Sequence, residues 1–229
     1  MKWIFLVLVS SVAFGSTPSF DYESKYHLFN VNDKLVNNRG DGYEELYGVR
    51  NFRVVLRGIV YRGGANNAYN KYGKRDNSNP LPDLGLMNLC KEGFKRSIYL
   101  YSTNYKTAPP QTKCQSFLKE ANTLQYDQIT GLSYSKIDLF ISPVFSIIKG
   151  VDKGPLYLHC WNGWHSSGFV SAILLRQFCG YTGGQALQYW IKNTDGASNG
   201  YEELKKQIID FKPRSQFQIT DDERKKICF

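Results

Sequence analysis

The chain has 229 residues, 42% of them hydrophobic and 15% aromatic, with a formal net charge of +9. That is enough apolar material for one sizeable core, and although the length allows one or two domains, the pattern reads as one. After the first fifteen residues no segment is long and apolar enough to span a bilayer, which takes about 20 residues, and five cysteines, an odd number, exclude complete disulfide pairing.

Residues 1–15 follow the secretory pattern: Lys2, the short apolar run "WIFLVLV", and Ala13-Phe14-Gly15 as a small-x-small cleavage site. The apolar run is too short for a membrane anchor, so the mature chain is expected to begin near Ser16, exported to the periplasm or beyond, with no transmembrane segment left after cleavage. Its charge then falls to +8, which biases the surface toward acidic partners. The basic residues are scattered, so nucleic acid is not expected. Residues 16–50 are polar and Gly/Asn-rich, an N-terminal arm rather than a domain, and residues 51–229 form the single domain.

"FRVVLRGIVYRGG" contains two short β-rich runs broken at Gly58, and "ANNAYNKYGKRDNSNPLP" is a long polar loop carrying Lys71, Lys74 and Arg75. From Asp83 the chain alternates. "DLGLMNLCKEGF" is predicted helical, "SIYLYS" a strand, and "PPQTKCQSFLKEAN" a helix with prolines at its start. "LQYDQI" is a short strand, Ser133 or Ser135 caps a helix through "KIDLFISPVFSIIKG" that Pro143 should kink, and "PLYLH" is a buried central strand. Helices follow at Ser167 to Phe178, Gly184 to Asn193 and Tyr201 to Phe211. The alternation predicts an α/β domain with a largely parallel sheet, whose ligand site lies at the carboxyl ends of the strands.

Cys160 sits at such an end, in "YLHCWNGWHSSGF". The turn 161–166 leads into a helix N-terminus, whose free N–H groups and positive dipole end suit an anion and a thiolate. Gly163 allows φ > 0 in mid-turn, closing the backbone around an oxyanion. The alternative is a structural cysteine that happens to end a strand.

"HCWNGWHSSG" resembles the signature loop of the cysteine-dependent protein tyrosine and dual-specificity phosphatase superfamily: His-Cys, five residues with glycine third, Arg, Ser or Thr, and often Gly. His159, Cys160, Gly163, Ser167 and Gly168 match in register. "VVLRGIVYRGG" resembles the family's first strands, "GFKRSIYLYS" its next strand, and "ALQYWIKNTDG" a helix of the bacterial phytase-like branch. The resemblance covers roughly residues 50 to 200. It implies a three-layer phosphatase fold, a central, largely parallel sheet flanked by helices, with Cys160 as nucleophile and no cofactor or metal. Trp161, Asn162, Gly163, Trp164, His165, Ser166 and Ser167 would line the ligand.

One departure is specific. Where the family has its arginine, six residues after the cysteine, this chain has Ser166, and the next arginine, Arg176, lies about 13.5 Å up the helix. That arginine grips two phosphoryl oxygens, a bidentate task a hydroxyl cannot perform. Loss of one oxyanion donor costs about 10²- to 10³-fold, so a pseudophosphatase or very weak phosphatase is expected, one that binds a phosphorylated or other anionic ligand or a protein partner. The alternatives are an active hydrolase of an inositol phosphate or phosphoprotein with a compensating cation (Arg62 or the Lys71 to Arg75 loop), and a thiol enzyme using Cys160 with His165 as base.

The family's general acid lies some thirty residues before the cysteine, and Asp127, 33 residues upstream, is the match by distance, although "LQYDQI" puts it in a strand. Asp138 is the other candidate. Trp161 and Trp164 either wall the cup or pack beneath it. Ser167 either serves the thiolate, as the family implies, or caps the helix. With Cys160 free, the favoured pairs are Cys90 with Cys114, on helices either side of a strand, and Cys179 with Cys228.

Overall fold

The computed structural model describes residues 22–37, 46, 50–65, 81, 83–102, 105–130 and 134–229. The expected leader 1–15, part of the expected arm and the basic segment 66–80 lie outside the described residues. Its strands are β1 (Leu35–Asn37), β2 (Arg50–Leu56), β3 (Val60–Gly63), β4 (Arg96–Tyr99), β5 (Gln111–Gln115), β6 (Ala121–Gln128) and β7 (Leu156–His159). Its helices are α1 (Tyr22–Tyr26), α2 (Asp83–Lys91), α3 (Asp138–Ile148), α4 (His165–Cys179), α5 (Gly183–Lys192), α6 (Glu202–Asp210) and α7 (Asp221–Ile227).

The strands form one sheet in the order β1-β2-β3-β7-β4-β6-β5. The central run β3-β7-β4-β6 is parallel, and the flanking pairs β1-β2, β2-β3 and β6-β5 are antiparallel. β7, "LYLH", is buried along its length, as a central strand covered on both faces must be. Side chains alternate across the sheet and divide the core in two. Leu156, Leu158, Ile98 and Val60 pack with α3, α4, α5, α6 and α7 on one face. Tyr61, Tyr157, Tyr126 and Phe52 pack with Tyr22 and Tyr26 of α1 and Leu86 and Leu89 of α2 on the other. The result is an α/β domain of three layers.

The β2–β3 hairpin turns at Gly58, φ +67°, a conformation glycine takes without a Cβ clash. Its register sets Arg53 opposite Arg62 and Val54 opposite Tyr61. Arg62 in turn is level with Leu158 of β7. Both arginines are fully buried.

Three sequence expectations are corrected. "PPQTKCQSFLKEAN" is not helical: Gln111–Gln115 alternate between exposed and half-buried as β5, an edge strand turning back into β6 through Lys119 at φ +63°. Here sheet pairing outweighs the proline start signal. α4 begins two residues earlier than expected, at His165, with Trp164 as an N-cap whose side chain makes no capping bond, so Ser167 does not cap the helix. Ser135 is not the N-cap of α3, which is Ile137, and Ser133 lies outside the described residues. α7 starts at a capping box in which Thr220 Oγ1 accepts from the Glu223 N–H and the Glu223 carboxylate from the Thr220 N–H.

Both expected disulfides form, Cys90–Cys114 and Cys179–Cys228, and Cys160 is free and buried. The first joins α2 to β5, a helix to a strand rather than helix to helix. The second closes a loop with a sequence separation of 49, for which chain entropy gives about 4 kcal/mol at most, and observed effects run about 2–4 kcal/mol. The double variant Cys179→Ser/Cys228→Ser should therefore lose about 2–4 kcal/mol of unfolding free energy, measured by urea titration without reductant. An unchanged midpoint would show that packing alone holds the C-terminal segment.

Candidate functional site

β7 ends at His159 and hands over to residues 160–164, which turn directly into α4. Four consecutive carbonyls of this loop are taken by donors outside it. Trp161 O accepts from the Ala65 N–H at 3.0 Å and Asn162 O from Asn51 Nδ2 at 2.7 Å. Gly163 O accepts from Arg62 Nη1 at 3.2 Å and Arg53 Nη1 at 3.5 Å. Trp164 O accepts from the Gly168 N–H at 3.0 Å and from Arg62 Nη1 at 3.4 Å.

A trans peptide plane sets each N–H opposite the preceding carbonyl. Carbonyls turned outward therefore turn the next amides inward. Among the described residues the N–H groups of Gly163, Trp164, His165, Ser166 and Ser167 have no hydrogen-bond acceptor. This is a nest of donors at the N-terminus of a 15-residue helix. Gly163 closes it with φ +72°, and it has to be glycine twice over, since a Cβ there would lie 2.7 Å from Gly63 C and 2.8 Å from Gly64 N.

Cys160 Sγ lies at the nest's base, 3.6 Å from Ser167 Oγ. Ser167 is fully buried and its Oγ also accepts from Arg62 Nη1 at 3.3 Å. Behind the loop the two arginines form a buried pair. Arg53 also donates to Asn193 O at 3.2 Å, and its Nη2 is 3.9 Å from Asp195. Burial first and Arg62 second push the Arg53 guanidinium down to about 9. Burial alone would raise the Asp195 carboxyl, but the Lys34 ammonium bound to it, Arg53 and the Trp164 indole N–H hold it below its ordinary value.

His159 closes the strand end from the other face. It stacks with Tyr99, Tyr126 and Tyr157. Its Nδ1 lies 3.3 Å from Cys160 O and its Nε2 2.9 Å from the Tyr126 hydroxyl. Burial keeps Tyr126 protonated, so the hydroxyl donates to Nε2 and Nδ1–H donates to the carbonyl. Burial pushes the imidazole down to about 3. His159 is a neutral bracket, not an acid or base.

The other singled-out residues are distributed as follows. Trp161 meets Tyr101 at 6.1 Å between ring centroids. Trp164 donates its indole N–H to Asp195 at 3.0 Å and carries Arg50 against its ring at 5.5 Å. His165 Nε2 donates to Ala197 O at 2.6 Å, and the ring stacks on Tyr201 at 4.1 Å, so it faces the 197–201 turn and makes no hydrogen bond to Cys160. Ser166 is half-buried in the first turn of α4. Asp127 lies within β6 in an ion pair with Arg96 Nε at 2.6 Å. It shares a row of the sheet with Ile98 and Leu158, two strand spacings or about 10 Å across from β7. Asp138 pairs with Arg214. Lys71, Lys74 and Arg75 lie outside the described residues.

Asn51, Arg53 and Asp195 were not anticipated from sequence. A signal existed for Arg53: with the hairpin centred between Arg57 and Gly58, positions 53 and 62 fall opposite each other. Asp195 carried none beyond its place in "NTDG".

No protein-family model and no curated protein matches the chain. Solved structures similar to it include Tk-PTP in the active form, at 15% identity and TM-score 0.45 over 69% of this chain and 95% of that one. The Siw14 catalytic core is similar at 13% identity and TM-score 0.45 over 81% and 92%. The core catalytic domain of the PP-IP phosphatase SIW14 from S. cerevisiae, in complex with citrate, is similar at 15% identity and TM-score 0.42 over 76% and 88%. These likenesses are distant, and the chemistry of the loop is set by its own residues.

The His159 geometry predicts a pH dependence. A histidine held neutral in the fold has its pKa lowered relative to the unfolded chain, so its contribution is complete above the unfolded value of about 6.5. It is lost as pH falls from there toward about 3. The slope approaches 1.4 kcal/mol per pH unit. Urea unfolding between pH 7 and pH 4.5 should show that slope in the wild type and lose it in His159→Gln. Parallel curves for the two proteins would remove His159 as the cause.

Proposed function

We propose that this chain is an exported, phosphatase-like protein, with 16–50 as an arm on a single domain 51–229, whose Cys160 loop holds a phosphorylated or other anionic ligand and hydrolyses it very slowly or not at all. The observation that carries the reading is the run of acceptor-less amides from Gly163 to Ser167, among the described residues, at a helix N-terminus beside a free cysteine, with a serine at position 166. Binding an anion asks for donors and a positive dipole end, which the loop supplies. Transferring a phosphoryl group also asks for a cation on its equatorial oxygens. Arg53 and Arg62, which hydrogen-bond the loop, donate to its outer, carbonyl side instead. The leader pattern at 1–15 supports export to the periplasm or beyond.

A second reading, an active phosphomonoester hydrolase working through a Cys160 phosphocysteine, is favoured by one observation: Arg62 stands one hydroxyl away from the sulfur. Asp127 as its general acid would first have to leave Arg96. The thiol-enzyme alternative, with His165 as base, finds no support in a ring engaged with Ala197 and Tyr201.

An assay with p-nitrophenyl phosphate, together with protection of Cys160 from iodoacetamide by inorganic phosphate, separates these. The wild type should match Cys160→Ser in turnover yet show phosphate protection. Ser166→Arg should gain Cys160-dependent turnover of at least about 100-fold. Wild-type turnover that vanishes in Cys160→Ser would establish the hydrolase instead. Absence of protection would rule out the anion cup.

A further inference from the structure

We infer that Arg62 is a positioning residue: it accosts Ser167 from behind the loop and directs the serine hydrogen at Cys160, supplying through β3 part of the electrostatic support that position 166 lacks. This rests on Cys160 being the reactive group of the loop.

The reasoning starts from donor and acceptor counts. A guanidinium only donates, and a serine hydroxyl has one hydrogen and two lone pairs. With Arg62 Nη1 at 3.3 Å occupying a lone pair of Ser167 Oγ, the hydrogen of that hydroxyl must go elsewhere. Ser167 is fully buried, so water does not take it. Among the described residues its Oγ has one other neighbour at bonding distance, Cys160 Sγ at 3.6 Å. A cationic donor on the oxygen also polarises the O–H, making it a stronger donor to a thiolate.

The surroundings hold Arg62 to this task. Gly163 O and Trp164 O accept from the same Nη1, and the Tyr189 ring lies 5.4 Å beneath the guanidinium carbon. Gly168 keeps the approach open, because a Cβ there would come within 3.0 Å of Nη1 and 3.1 Å of the Trp190 ring. The Nε and Nη2 atoms of both Arg53 and Arg62 are buried without hydrogen-bond partners. Two guanidiniums so placed, with Asp195 at 3.9 Å from Arg53 as their carboxylate, oppose folding.

The test uses the full chain with both disulfides intact, in which iodoacetamide can label only Cys160. At neutral pH, Ser167→Ala and Arg62→Gln should each slow labelling about tenfold, the charged-hydrogen-bond scale. Arg62→Lys keeps a cationic donor but loses the planar fork, so it should label at a rate between Arg62→Gln and wild type. Adding Arg62→Gln to Ser167→Ala should change nothing further, because both act through one hydroxyl. A role confined to bracing the loop would give the opposite sign, since loosening exposes the thiol and speeds labelling. The inference is overturned if Arg62→Gln labels as fast as or faster than wild type, or if the two effects multiply. Should Arg62→Gln lack a cooperative unfolding transition, Ser167→Ala decides: labelling as fast as or faster than wild type overturns the inference, and so does an Arg62→Lys effect that persists undiminished in the Ser167→Ala background. Phosphate protection of the wild type is scored separately, so loss of protection removes the anion cup, while the variant rates alone decide the role of Arg62.

Discussion

The site depends on four carbonyls being pulled outward. A short loop left to itself has no reason to turn a run of N–H groups inward, because every amide turned inward needs the preceding carbonyl satisfied on the far side. Here Ala65, Asn51, Arg53 and Arg62 satisfy them, and all four come from the segment 50–65. The β2–β3 hairpin and the residues that follow it are thus the mould against which the loop is cast. Gly63 and Gly64 lie close enough to Gly163 that a side chain there would force the two apart.

That mould carries charge, and the location of the charge matters. Positive groups behind the loop act on the sulfur and on the loop dipoles whether or not a ligand is present. A positive group in front would act on the ligand's own oxygens as they change charge, which is where rate enhancement originates. The chain keeps the former and has a serine where the latter is expected. Asp195 moderates the rear charge without cancelling it, since it is shared among Lys34, Arg53 and Trp164.

Much of this was legible in the sequence because it follows from local chemistry. The apolar run "PLYLH" marks the strand that forms at 156–159, Gly163 marks the turn, and the cysteines other than Cys160 form the two expected pairs. What escaped was set by tertiary contact. β5 looks helical in isolation, and only pairing with β6 and the bond from Cys114 to α2 make it a strand. Ser167 looks like a helix cap until the helix is seen to begin two residues before it. Arg62 was considered as a cation folding over the cup, yet β3 points it beneath, because the side of the sheet is fixed by the pairing with Leu158. Asp127 is close to the expected distance in sequence, but sequence distance does not reveal that Arg96 is waiting on the neighbouring strand.

The hairpin turn has one more attachment. Arg57 N–H donates to Ile227 O, its guanidinium lies over the Phe229 ring, and Cys228 is bonded to the end of α4. Segments separated by most of the chain therefore meet at the pivot that sets which face Arg53 and Arg62 occupy, and a one-residue slip there would send both to the opposite side. The loop's donors are local to one hairpin, but that hairpin's register is guarded by contacts of high sequence separation. Such contacts carry a loop-closure entropy that local ones do not. The aim of the amides beside Cys160 is thus tied to the chain's last residues, far from the loop in sequence.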